Sequence, residues 1–106
     1  MSADWAYHPG IGYWQGLGMR YGLAAAASKH GARTPYDPEW YARAERIRNA
    51  KARGELWVYD EFGPYSPLED DDAFVSVFEA PRSKVPADWV VAFEFGFMSG
   101  WWSCLA

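Results

Sequence analysis

One thiol, Cys104, and two imidazoles, His8 and His30, are the whole stock of soft nucleophiles and neutral-pH bases in the chain. Covalent catalysis needs a nucleophile, a base and a group that orients the base. No local motif links these three residues. His8 precedes Pro9 in an irregular lead-in, His30 closes a helix-like segment, and Cys104 lies far downstream. Both histidines are expected to be structural, with His30 protonated and complementing the negative end of a helix dipole. A lone cysteine makes neither an internal disulfide nor a cysteine-based zinc site.

Carboxylates are more plentiful. Asp60, Glu61, Glu69, Asp70, Asp71 and Asp72 could offer oxygens to Mg²⁺ or Ca²⁺. A helix–loop–helix calcium site needs alternating ligands, a mid-loop glycine and a terminal glutamate, and this run has none of that pattern. Four adjacent acids also point in alternating directions, so a solvated acidic loop is expected and no metal. The glycines Gly12, Gly16, Gly18 and Gly22 raise the question of a phosphate cradle. No strand precedes them and no Gly-Lys-Ser/Thr follows, so the expectation is close packing against a neighbouring element and no bound cofactor.

The charge map says more than any one residue. The formal net charge is −4 and the pI is near 5, which argues against binding DNA or RNA through the overall field. Glu55, Asp60, Glu61, Glu69, Asp70, Asp71, Asp72 and Glu79 form an acidic stretch that contains no lysine or arginine. Trp57, Tyr59 and Tyr65 lie within it. Directly before it, Arg43, Arg46, Arg48, Lys51 and Arg53 hold half of the chain's ten cations. Two opposed surfaces follow. The first comprises Trp57, Tyr59, Asp60, Glu61, Tyr65, Glu69, Asp70, Asp71 and Asp72, and suits a basic partner. The second comprises Trp40, Arg43, Arg46, Arg48, Lys51 and Arg53, and suits phosphates.

Stepping from these residues to the elements that carry them, Ile11–His30 reads as a first helix, with Trp14, Leu17, Tyr21, Ala24 and Ser28 on one stripe and Gly31 as its stop. Asp37 reads as the N-cap of a second helix, Pro38 as its first residue, and Gly54 as its end. The following segments read as strands: 55–62, 73–79 and the apolar run from Asp88 to Trp102. In that run Trp89, Val91, Phe93, Phe95 and Phe97 recur at period two, which on a strand commits all five to one buried face. Ser99-Gly100 reads as a hairpin turn leading to a short fourth strand, 101–105, or Gly96 and Gly100 as bulges. The whole predicts a single α+β domain over residues 1–106. Two N-terminal helices would pack on an antiparallel meander of three or four strands.

Nothing in the first ten residues reads as a signal peptide. The segment Ile11–Ala27 is too short and too polar to span a membrane, so a cytoplasmic protein is expected. Aromatic residues make up 19% of the chain, more than a small core holds, which places some of them at a binding surface. In size, charge and aromatic content the chain resembles the small acidic inhibitors carried by phages and mobile elements, such as anti-CRISPR proteins. That resemblance implies a non-enzymatic protein whose carboxylates occupy a basic, nucleic-acid-binding surface of a larger protein or nucleoprotein complex. The competing readings are a nucleic-acid-binding accessory protein acting through the basic helix 38–53, and a metal-dependent or small-ligand enzyme using the acidic cluster. Homo-oligomerisation is compatible with all three.

Overall fold

The computed structural model describes residues 10–31, 37–64 and 66–105. Five helices run in the order α1 (Ile11–His30), α2 (Pro38–Ala52), α3 (Trp57–Phe62), α4 (Asp71–Phe78) and α5 (Ala87–Ser103). Short 3₁₀ turns at Pro67–Glu69 and Arg82–Lys84 flank α4. Among the described residues there is no strand and no sheet, so the expected α+β meander is wrong.

The first two helices run where the sequence places them, but the expected stripe of α1 does not hold: Tyr21, Ala24 and Ser28 are exposed, and the buried face is Trp14, Gly18, Gly22, Ala26 and His30. The Asp37 carboxylate accepts hydrogen bonds from the backbone N–H groups of Glu39 and Trp40 at 3.0 and 3.2 Å, and Pro38 occupies the first turn. Gly31 ends α1 with a left-handed φ of 90°, its N–H returning to the Ala27 carbonyl.

Two of the three segments read as strands carry a helix signal: α4 begins with helix-start chemistry, and α5 is an apolar run that satisfies a helical period as well as an alternating one. The short α3 has neither and is held by packing Val58 against α2. Asp70 caps α4 by accepting from the Asp72 N–H at 3.0 Å, and Asp71 and Asp72 fill the first turn. Ser66 caps the 3₁₀ turn with Pro67 behind it. In α5 the buried residues are Ala92, Phe93, Gly96, Phe97, Gly100 and Trp101, which is a helical stripe. Of the period-two set, Phe93 and Phe97 are buried while Val91 and Phe95 face solvent. Ser99 and Gly100 are interior to the helix and make no turn.

Glycine decides how α1 and α5 meet. A methyl group built on Gly18 would sit 2.0 Å from the Phe93 carbonyl oxygen, and one on Gly22 would sit 2.0 Å from that of Phe97. Reciprocally, methyls on Gly96 and Gly100 would meet the carbonyls of Gln15 and Met19 at 2.0 and 2.1 Å. No real side chain tolerates such distances, so backbone lies on backbone at all four positions. Position numbers rise together on the two helices, which makes the pair parallel. Two glycines four residues apart on each helix give the small-residue seam that lets helices approach this closely. Gly12 and Gly16 meet nothing within 4 Å, so only half of the glycine expectation holds.

The remaining helices cover one side of this pair. Phe93, Phe97 and Trp101 extend from α5 toward Trp14 of α1 and toward Phe74, Val77 and Phe78 of α4. Ring centroids lie 4.6 Å apart for Trp14–Phe78, 4.8 Å for Phe74–Phe78 and 5.9 Å for Phe78–Phe93. A second cluster joins Trp40, Ala44, Ile47 and Ala50 of α2 to Val58 of α3 and to Leu105. Trp102 packs against both clusters. No helix among the described residues is long and apolar enough to cross a membrane.

Candidate functional site

The acidic run lies on α3, the Pro67–Glu69 turn and the start of α4. Asp60, Glu61, Glu69, Asp70, Asp71 and Asp72 are all exposed. They do not converge as ligands: among the described residues no three of His, Cys, Asp and Glu gather as a metal-holding group. Part of the run has a local purpose, because Asp70, Asp71 and Asp72 cap and charge-match the N-terminus of α4. Asp71 also takes a 3.4 Å contact from Arg82, whose guanidinium donates as well to the Leu68 carbonyl and lies 4.4 Å from the Phe74 ring centre.

The aromatic members divide. Tyr59 is exposed and stands edge-on to Trp102 at 5.8 Å. Trp57 is half-buried and donates from Nε1 to the Glu55 carboxylate at 3.1 Å, which with Arg53 holds that carboxyl below its usual range. Tyr65, like His8, lies outside the described residues.

The basic helix is largely occupied by its own fold. Arg48 donates to the Leu105 carbonyl, Lys51 sits 4.9 Å over the Trp102 ring, and Arg53 pairs with Glu55 at 3.1 Å. Trp40, offered for base stacking, is buried and donates from Nε1 to the Gly31 carbonyl at 3.0 Å. Arg46 remains exposed beside a shallow depression lined by Ala42, Glu45, Asn49 and Arg53. Arg43 is half-buried, and its Nε has no hydrogen-bond partner among the described residues.

That arginine lines a cavity of about 260 Å³ between the end of α1 and the start of α2, with His30, Gly31, Asp37, Glu39 and Trp40. His30 is 3% exposed, its ring 5.4 Å from both Phe62 and Trp101, and its Nε2 has no hydrogen-bond partner among the described residues. Burial lowers its pKa first, and the neighbouring Lys29 and Arg43 charges lower it further against a hydrogen bond to the Phe62 backbone. The expected dipole-complementing imidazolium is therefore a neutral core ring. Burial pushes the Cys104 thiol up, which disfavours the thiolate that nucleophilic chemistry requires.

The feature that sequence reasoning missed is on the outer side of α5. Val91 is 65% exposed, Phe95 62% and Met98 51%. With Trp102 they follow a spacing of four, three and four residues along one face of the helix. α1 and α4 pack on the other side of α5, so Val91, Phe95 and Met98 are left open, while Trp102 at the end of the stripe is half-buried against the second cluster. Its end meets Tyr59 through Trp102, and its edge carries Glu94, which accepts from the Ser66 hydroxyl at 3.3 Å. That hydrogen bond ties the stripe to the acidic turn that follows Ser66. The signal was present in the sequence as the four-three-four spacing, which period-two reading of the same residues hid.

No protein-family model, curated protein or solved structure matches this chain.

Proposed function

We propose that the protein is a non-enzymatic interaction protein whose acidic, aromatic-edged surface docks on a basic partner protein. The observation that carries this reading is the juxtaposition on one surface of exposed carboxylates and an uncovered apolar stripe. Exposed apolar surface rimmed by polar groups is the usual mark of an interaction site. Carboxylates around it draw a cationic partner over distance and disfavour wrong ones. The α2 cations offer a weaker alternative, since most of them hold the C-terminal end of the chain or pair within the helix's own neighbourhood. In its sharpest form the protein is an inhibitor of the kind carried by phages and mobile elements, its carboxylates standing where a partner's arginines and lysines would otherwise meet phosphates.

The test uses residues that have no part in capping. Glu61→Lys/Glu69→Lys reverses two exposed acids, and Arg46→Glu is the matched control on α2. Each variant and the parent are used to capture partners from a host lysate at low and high salt, with a gel-shift assay on DNA and RNA in parallel. The acidic double variant is expected to lose the captured protein, and the control to retain it. Salt should weaken capture by the parent. Loss of capture in the Arg46 variant alone, or a gel shift abolished by Arg46→Glu, overturns the reading in favour of the basic helix.

A further inference from the structure

We propose that the outer stripe of α5 is a coiled-coil seam that receives a basic amphipathic helix from the partner. This rests on the interaction reading above and names the partner's form.

Val91, Phe95, Met98 and Trp102 occupy successive d, a, d and a positions of a heptad, the spacing at which one helix packs knobs into the holes of another. Val91, Phe95 and Met98 are exposed, Trp102 at the end of the seam is half-buried beside Lys51 and Tyr59, and the opposite face of α5 is fixed against α1 by the glycine contacts. The helix is thus rigidly mounted and needs no rearrangement to accept a neighbour. Glu94 falls at the g position beside the seam, where two-stranded coiled coils place the charge that selects a partner. The Ser66 hydroxyl holds it there.

Charge decides who the neighbour is. The acids of α5 are Asp88 and Glu94, and the helix contains no lysine or arginine. A second copy laid on the same stripe would bring like charge against like charge. A helix with lysine or arginine flanking its own apolar seam meets Glu94 with the opposite sign.

The probe is a synthetic three-heptad peptide with leucine at every a and d position and lysine at every e and g. Mutual repulsion of its lysines keeps it from pairing with itself. Its isomer with glutamate at e and g is the control. Binding is followed by peptide fluorescence anisotropy, and the oligomeric state of the protein by sedimentation. The lysine peptide is expected to bind saturably and the glutamate peptide at least tenfold more weakly. Phe95→Glu should reduce lysine-peptide binding at least tenfold without changing the melting temperature, because Phe95 is exposed. Glu94→Lys should narrow or invert the preference between the two peptides. Equal binding by parent and Phe95→Glu, indifference to peptide charge, or concentration-dependent self-association abolished by Phe95→Glu would each overturn the proposal. If Phe95→Glu still captures the lysate partner while Glu61→Lys/Glu69→Lys does not, the seam is refuted and the acidic-surface reading survives.

Discussion

At the scale of single residues, His30 carries a clear consequence for pH. Its native pKa lies below the ordinary value of 6.5, so the unfolded chain binds this proton more readily than the folded one. The stability linked to the neutral ring is therefore complete above the unfolded pKa and is lost as pH falls through that value toward the native one. Melting temperature measured between about pH 7.5 and pH 5.5 should fall for the parent and stay flatter for His30→Phe, which keeps a ring between Phe62 and Trp101. A parent profile as flat as the variant's would show that the imidazole is not held neutral. The aspartates make a second residue-scale case. Asp37→Ala and Asp70→Ala each remove a side-chain cap and should cost about 0.5–2 kcal/mol in denaturant unfolding. Asp37 was legible because Pro38 and Glu39 followed it. Asp70 obeys the same grammar, but four consecutive acids looked like a solvated loop, and the capping role was overlooked.

At the scale of elements, α1 and α2 were legible from their ends, Gly31 after the first and Asp37-Pro38 before the second. The segments of α3 and α4 are short enough to pass for strands, with six and eight residues. In α5 most positions are apolar, so alternation and the helical period fit equally well, and periodicity alone cannot choose. What chooses is length and glycine spacing. Seventeen residues is long for a strand, and Gly96 and Gly100 repeat the four-residue interval of Gly18 and Gly22. The two glycine doublets of α1 provide an internal contrast. Gly18→Ala or Gly22→Ala drives a methyl into a carbonyl and should destabilise by about 1–3 kcal/mol or more. Gly12→Ala and Gly16→Ala add a methyl in open space and should stabilise by up to about 1 kcal/mol each, since glycine is the poorer helix former. Thermal melts of the four variants separate the roles. Destabilisation by Gly12→Ala would mean that this face of α1 is covered.

At the scale of the molecule, charge and exposure combine into a polarity that the sequence had already announced and the fold partly rearranges. The basic helix turns its cations inward to tasks at the C-terminal end: Arg48 on the Leu105 carbonyl and Lys51 on Trp102. The acidic half keeps most of its charge in solvent. The candidate surface was thus half legible: Tyr59, Asp60, Glu61 and Glu69 were named from composition, whereas Val91 and Phe95 were assigned to the core. The misplacement follows from the wrong period, because on a strand Phe93 and Phe95 share a face, while on a helix they lie about 200° apart.

The parallel glycine seam joins α1 to α5, two helices separated along the chain by α2, α3 and α4. While the chain grows from its N-terminus, α1 has no partner, and its seam stays open until α5 is complete. All of α2, α3 and α4 must be looped out before the two backbones can touch. Such a distant pairing is slow to close relative to local helix formation, and it leaves α1 with an unsatisfied contact face throughout elongation. A chain truncated before Gly96 would have capped helices and no seam, open to binding by chaperones and attack by proteases, whereas one that includes Gly100 can close it.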